Sequence, residues 1–441
     1  YKKTSSTKKK GDKSHFFGKF VKNFDNYLDS ENTIDITLQE VSNDKYLKLY
    51  KIESNLVDHN TETLENSINF FHSSEDLFFG INTTIYETLK DDYEDKYEYI
   101  LPEVTLDKRL FLNDKFGSLE LQTNYKVHNY DTNKLTNFLV NDFYYNSNNK
   151  LIKDFLNTKI LGNIKNINYE SKNVNIYKED PTTEIFGSIG LLSEINLQKN
   201  NDKFRHLFKP KMLLRLSPGS MRQEDDGPRL DPLRAFSLDR ISNLNNYETG
   251  NSATFGFDYK IKDNRNFENF NFSVAQIVNE KENKKMADRT SLNEKLSDLV
   301  GSSSYTVNEN FKLNYNFSID QNYNDVNYNE LGSFINYGAL NIDFNYLSES
   351  KHIGDQDYFK TELNLRNKDN GLLSFKTKRN LTTNSSEFYN LSYEYINDCL
   401  RAGLVYRREF YNDSELEPEN SLMFKITLTP FGKIDSPTFS K

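Results

Sequence analysis

The 441-residue chain has no tryptophan, one cysteine and nine prolines. No run approaches the roughly 18 to 20 apolar residues that a membrane helix needs. It begins at Tyr1, and no charged n-region, apolar core and small-residue cleavage site marks a signal peptide. Either processing has removed one or the sequence starts inside a longer protein. A basic stripe is also missing: the net charge is -9 and the pI is near 5.4. With no such stripe to release phosphate counterions, a nucleic-acid partner is not expected. The one basic run, Lys8 to Lys10, lies in residues 1–14, which read as a basic polar tail or loop.

Catalytic signatures are lacking too. The six histidines, His15, His59, His72, His128, His206 and His352, are scattered and show no H-E-x-x-H spacing. There is no G-x-S-x-G elbow, no P-loop and no paired-cysteine metal site. The chain is therefore expected not to be an enzyme and to need no metal or cofactor.

What is present is aromatic and polar at once. The chain carries 28 Tyr and 33 Phe, yet only 36% of its residues are hydrophobic and its mean hydropathy is -0.78. A disordered chain would be poor in such strand-forming aromatics. A membrane β-barrel reconciles the two facts, because apolar residues facing lipid alternate with polar residues facing the lumen.

The sequence has that period of two. Phe311, Leu313, Tyr315, Phe317 and Ile319 alternate with Lys312, Asn314, Asn316 and Ser318. Leu340–Ile342–Phe344–Tyr346, Leu119–Leu121–Thr123–Tyr125–Val127, Ala253–Phe255–Phe257–Tyr259 and Leu422–Phe424–Ile426–Leu428 repeat the pattern. Successive strand residues point to opposite faces, so each segment has one apolar face and one polar face. About 21 strands are expected on this reading. The clearest are 117–128, 250–260, 268–278, 309–320, 339–347, 386–396, 399–411 and 421–430, while 289–299 reads as a turn or two of helix. Counted back from the last strand, connections at 412–420, 380–385, 348–357, 321–328, 279–299 and 218–249 alternate with shorter ones at 397–398, 367–371, 337–338, near Asn308, 261–267 and 199–203. Long external loops alternating with short periplasmic turns are the barrel pattern.

The expected fold is all-β: a large antiparallel transmembrane β-barrel over residues 15–432, with a C-terminal tail at 433–441. Bacterial single-chain barrels have an even number of strands. The odd count, and a first strand at 16–24 that runs downward, lead us to expect that N-terminal strands are missing.

Several segments resemble the LPS-assembly protein LptD family, particularly its α-proteobacterial branch. They are Asp398 to Arg408 followed by Glu417 to Phe424, the run Phe236-Ser237-Leu238-Asp239-Arg240 with Gly250, Asn329 to Gly332, and Glu40 to Leu47. Together they span residues 15 to 432 in a consistent order. The resemblance implies an outer-membrane barrel of about 26 strands behind a periplasmic jelly roll, with an LptE-like lipoprotein plugging the lumen. Lipopolysaccharide would arrive over a periplasmic bridge through the jelly roll and leave sideways between the first and last strands. The last strand, with Leu422, Phe424, Ile426 and Leu428 on one face, would then be the gate strand; an ordinary terminal strand explains the pattern equally well. Cys399 would form an interdomain disulfide to the absent N-terminal part. From the residues alone, an odd cysteine in an exported chain points either to a missing partner or to a reactive thiol.

The connection 218–249 holds Glu224-Asp225-Asp226, Gly227, Pro228 and Pro232 and reads first as a solvated surface loop; folding over or into the lumen is the alternative. Asp239 and Arg240 read as a structural ion pair, not as substrate contacts. The main competing function is an outer-membrane porin or receptor for solute uptake. A soluble secreted β-repeat adhesin is the other.

Overall fold

The computed structural model describes residues 14–26, 30–50, 52, 54, 56–90, 95–152, 155–352, 354–367, 370–382, 385–397, 400–409, 420–428, 432–435 and 439–440. Strands β1 (His15–Asn26), β2 (Ser30–Val41), β3 (Thr63–Ser73), β4 (Leu77–Thr88), β5 (Tyr97–Asn113) and β6 (Gly117–Tyr130) come first. β7 (Lys134–Asn146), β8 (Lys150–Ile152), β9 (Leu156–Lys172), β10 (Thr182–Ile195), β11 (Leu197–Asn200) and β12 (Phe204–Leu216) lead into the longest connection. After it come β13 (Ser252–Asp263), β14 (Glu268–Asn279), β15 (Leu299–Asn308), β16 (Phe311–Ile319), β17 (Val326–Tyr337), β18 (Leu340–Glu349) and β19 (Gln356–Arg366). The chain continues through β20 (Gly371–Asn380), β21 (Ser385–Ile396), β22 (Leu400–Glu409), β23 (Asn420–Leu428), β24 (Gly432–Asp435) and β25 (Phe439–Ser440).

The 25 strands among the described residues belong to one sheet. Pairing is antiparallel throughout and, short strands apart, follows sequence order, as along β12–β13–β14–β15–β16. Two short strands are continuations of longer ones: β8 extends β7 along β9, and β11 extends β10 along β12. At the end of the chain, β24 and β25 both lie along β23, so residues 432–435 and 439–440 are paired.

The sheet is the wall of a large antiparallel transmembrane β-barrel. Among the described residues no helix is long and apolar enough to cross a membrane. The apolar rows point outward: Ile160, Ile189, Leu214, Phe255, Leu404 and Phe424 are exposed large hydrophobics, as lipid-facing residues should be. On the opposite faces, Lys209, Asp258, Ser273, Ser302, Asn316 and Glu330 are successive register partners and form a polar rung across six strands. Among the described residues, the expected strands lie within a few residues of those observed, with the longest connections at 217–251 and 280–298 as expected; the expected connection 412–420 lies almost wholly outside the described residues. Residues 289–299 are expected to form a turn or two in a loop, and the turn that forms is short. Only a 3-10 turn at Asp288–Thr290 forms, and β15 starts at Leu299. A small apolar cluster caps the external end of β1 to β4, where the helix α1 (Tyr46–Tyr50) brings Leu47 against Val57, Leu64 and Leu89.

Candidate functional site

The lumen is not filled by water alone. The connection from β12 to β13 turns inward and lies against the inner wall, so it is not a solvated surface loop. Its apolar residues explain why. Met221, Leu230, Ala235 and Ile241 are buried against Ala275, Ile277 and Val300 of the wall and Met286 and Leu292 of the β14–β15 connection. Six apolar contributors from two loops would be costly to leave in water, at about 25 cal/mol per Å2 of apolar surface. A second cluster joins Tyr247 to Phe138, Val140, Ile167, Tyr169 and Phe186 on the inner faces of β7, β9 and β10.

The segment Phe236-Ser237-Leu238-Asp239-Arg240 fastens this loop. Phe236 lies under the Lys211 ammonium at 4.4 Å and packs beside Gly256. Ser237 lines the cavity described below. Leu238 abuts Gly190 of β10, where a β-carbon would come within 2.6 Å of the leucine side chain. Asp239 and Arg240 do not pair with each other. The chain bends through these residues, and Asp239 meets Lys165 of β9 at 3.1 Å while Arg240 meets Glu248 through two nitrogens.

Charge organises the anchorage. Lys165 is almost fully buried and also faces Asp142 at 3.4 Å, and it donates to the Asn243 carbonyl at 2.9 Å. Arg215 of β12, whose side chain is 1% exposed, donates to the carbonyls of Leu238 (2.6 Å), Gly250 (2.7 Å) and Glu248. Such carbonyl contacts satisfy a buried guanidinium that would otherwise be very costly. Burial pushes the Glu248 carboxyl up, but the guanidinium groups of Arg240 and Arg215 pull harder and hold it below the ordinary glutamate range. Burial dominates at Asp239 and holds it above the ordinary aspartate range despite Lys165. On the far wall, Arg229 pairs with Glu349 of β18 and stacks on the Tyr328 ring at 3.7 Å. Arg222 reaches Glu184 of β10. Glu224, read in the sequence as part of an acidic run, accepts from Asn243 and Asn246.

Two lumen cavities flank the folded loop. One of about 600 Å3 lies between it and β5 to β9, with Asp107, Asn124, Asp142, Tyr144 and Lys165 in its walls. The other, of about 580 Å3, lies below Arg229 to Leu233 and is lined by Lys211, Asp258, Lys260, Asn316, Tyr328 and Glu330. Both offer hydroxyl, amide and charged groups of either sign, which suits a hydrated polyhydroxylated ligand better than an apolar one. Among the described residues no group of three or more His, Cys, Asp or Glu side chains is placed to hold a metal ion.

Of the other residues singled out by the sequence, Leu422 and Phe424 project outward from β23 on either side of the inward Met423. Ile426 shares their strand face, and Leu428 ends the strand, although its side chain lies outside the described residues. β23 pairs with β22 on one edge and with β24 and β25 on the other. Cys399 lies outside the described residues.

A family model described as LptD, LPS transport system D, matches residues 16–376. No curated protein matches the chain by sequence. Among solved structures, the siderophore receptor PirA from Acinetobacter baumannii is 8% identical, with 84% of this chain and 72% of that one covered and a TM-score of 0.42. A ferric enterobactin receptor (PfeA) mutant from Pseudomonas aeruginosa is 9% identical, with coverages of 94% and 72% and a TM-score of 0.38. A mutant porin of Rhodopseudomonas blastica is 8% identical, with coverages of 68% and 91% and a TM-score of 0.28.

Proposed function

The chain belongs to the LptD family, LPS transport system D, and from that premise we propose that it inserts lipopolysaccharide into the outer leaflet through a laterally gated barrel. Membership makes it an outer-membrane protein of lipopolysaccharide transport. The route through the barrel is the proposed part. The observation that carries it is the pair of polar cavities on either side of the inward loop, which together give the lumen a wall of hydroxyl, amide and charged groups. Sugar hydroxyls exchange their water for such groups at little net cost. Acyl chains do not, so they remain in the bilayer while the saccharide occupies the lumen.

An LptE-like lipoprotein is the proposed plug, and a periplasmic bridge is the proposed source of substrate. The inward loop reaches the walls at β7, β9, β10, β12 and β18, so the plug would occupy the lumen beside β19 to β23 and β1 to β4. Those inner faces carry Lys360, Glu362, Lys376, Lys378, Glu394 and Arg401, which offers a partner charges of both signs. The gate strand remains proposed as β23 with its short partners, and Cys399 as half of an interdomain disulfide. The chain carries no catalytic chemistry in this reading; substrate supply from the periplasm drives passage.

The test is reconstitution. The protein with its lipoprotein partner, in vesicles, should deliver fluorescent lipopolysaccharide to the far leaflet when the periplasmic bridge is supplied. Solute conductance with no lipopolysaccharide binding and no lipoprotein co-isolating would sink the reading.

A further inference from the structure

The outward wall, away from the lumen, carries an apolar depression. Ile160, Leu191, Leu214, Ala253 and Val278 form one register row across β9, β10, β12, β13 and β14, each residue the partner of the next. Ala253 is the smallest member and stands between Leu214 and Val278. Nearer the external side, Ile189 faces Leu216. The wall steps down here, because β12 pairs with only Ile189 to Glu194 of β10, whereas β9 pairs with that strand from Thr182 to Ile195. A small residue in a row of large ones, beside a step, leaves an outward trough of about 710 Å3.

The trough ends in a polar lip. The Asn251 side chain donates to Glu280 at 2.7 Å and accepts from the Ser217 backbone at 3.2 Å. These residues lie where β12, β13 and β14 meet their external connections, so the lip is at headgroup level and the trough runs inward from it.

We propose that this trough holds one acyl chain of an outer-leaflet lipid, with its headgroup at the Asn251–Glu280 lip. The occupant follows from position and shape. The trough is continuous with a wall surface that already faces lipid, it is apolar along its length, and it is polar only at the end nearest water. An amphiphile has that same distribution. Within a bilayer, burying a chain gains no hydrophobic free energy, since lipid tails are as apolar as leucine. Retention rests on dispersion contacts, which a chain between two ridges makes on more sides than a chain against a flat wall. The same strands anchor the inward loop from behind, through Gly190 and Arg215. The trough therefore has a fixed back wall.

The full chain is reconstituted in phosphatidylethanolamine–phosphatidylglycerol vesicles with a trace of phosphatidylethanolamine bearing a diazirine on one acyl chain. After illumination, labelled peptides are mapped by mass spectrometry. Labelling at Leu214–Leu216, Ala253 and Val278 should exceed that at the outward residues Leu404 and Tyr406 by roughly fivefold, equivalent to about 1 kcal/mol. Ala253→Phe fills the trough and should bring the labelling down to that background while heat-modifiable migration stays unchanged. Even labelling around the wall, or an excess that survives Ala253→Phe, overturns the proposal. If the phenylalanine variant fails to fold, Ala253→Leu is read the same way, and an undiminished excess there overturns it equally.

Discussion

Lys165 and Asp239 stand 74 positions apart in sequence, yet their side chains meet at 3.1 Å inside the lumen. One belongs to the wall and the other to the connection between β12 and β13, so this contact joins the loop to the wall. Lys165 is also the cation nearest Asp142.

Lys165→Met should loosen the inward loop, because it leaves two buried carboxylates facing each other without a cation. Breaking a buried pair from one side costs about 3–5 kcal/mol. Hydrogen exchange in residues 218–249 should quicken while exchange in the outward strands stays constant. The double variant with Asp239→Asn should lose less than the sum of the two single changes. Additive losses would show that the pair does not act as a unit.

Acid should act on the loop through Glu248. Its folded value lies below the ordinary 4.5, so its contribution is fully present above that value and is lost as pH falls through the folded one. Exchange of residues 240–250 in the native protein should therefore accelerate on acidification below about pH 4.5. Asp239 responds with the opposite sign, since burial already favours its protonated form. The difference profile between native protein and Glu248→Gln isolates the first effect. A flat difference would mean that Glu248 is not held by its arginines.

Gly190 and Leu238 should behave as a complementary pair. A β-carbon at Gly190 would lie 2.6 Å from Leu238 and 3.0 Å from Leu213. Gly190→Ala should therefore destabilise by about 1–3 kcal/mol through overpacking. Adding Leu238→Ala makes room and should recover part of the loss, as measured by the temperature of unfolding in detergent. No recovery would place the strain elsewhere.

The Arg229–Glu349 contact should govern how tightly the lumen is closed on the β18 side. Arg229→Ala leaves the Glu349 carboxylate buried without its guanidinium, and a charged hydrogen bond is worth about 1.5–3 kcal/mol. Single-channel recordings should show more frequent open events than in the native protein. Glu349→Gln, which keeps an acceptor for Arg229, should have a smaller effect. Equal closure in all three proteins would remove this contact from any gating role.

The strands were legible because their chemistry is local. Alternation in β6, β13, β14, β16 and β18 needs only neighbouring residues to be read, and a single slip would turn every side chain to the wrong face. The inward loop stands in the sequence only as the second reading of residues 218–249, since its partners are distant in sequence. Asp239 and Arg240 look paired because they are adjacent, whereas in the fold one meets Lys165 and the other Glu248. A signal was available: Met221, Leu230, Ala235, Phe236, Leu238 and Ile241 are too apolar for a loop in water. Phe138-Leu139-Val140 in β7, apolar on both faces, also marks a wall segment covered from within.

The inward loop leaves the wall after β12 and rejoins it at β13, and these strands are paired up to Arg215 and Ser252. Its two ends are thus fixed side by side whatever happens between them. The entropy of closing such a span rises by only about 0.6 kcal/mol for each doubling of its length. Residues added at the exposed turn of Asp225 and Asp226 should leave the barrel's register untouched. In this architecture the obstruction in the pore can change size across generations without the pore having to be rebuilt.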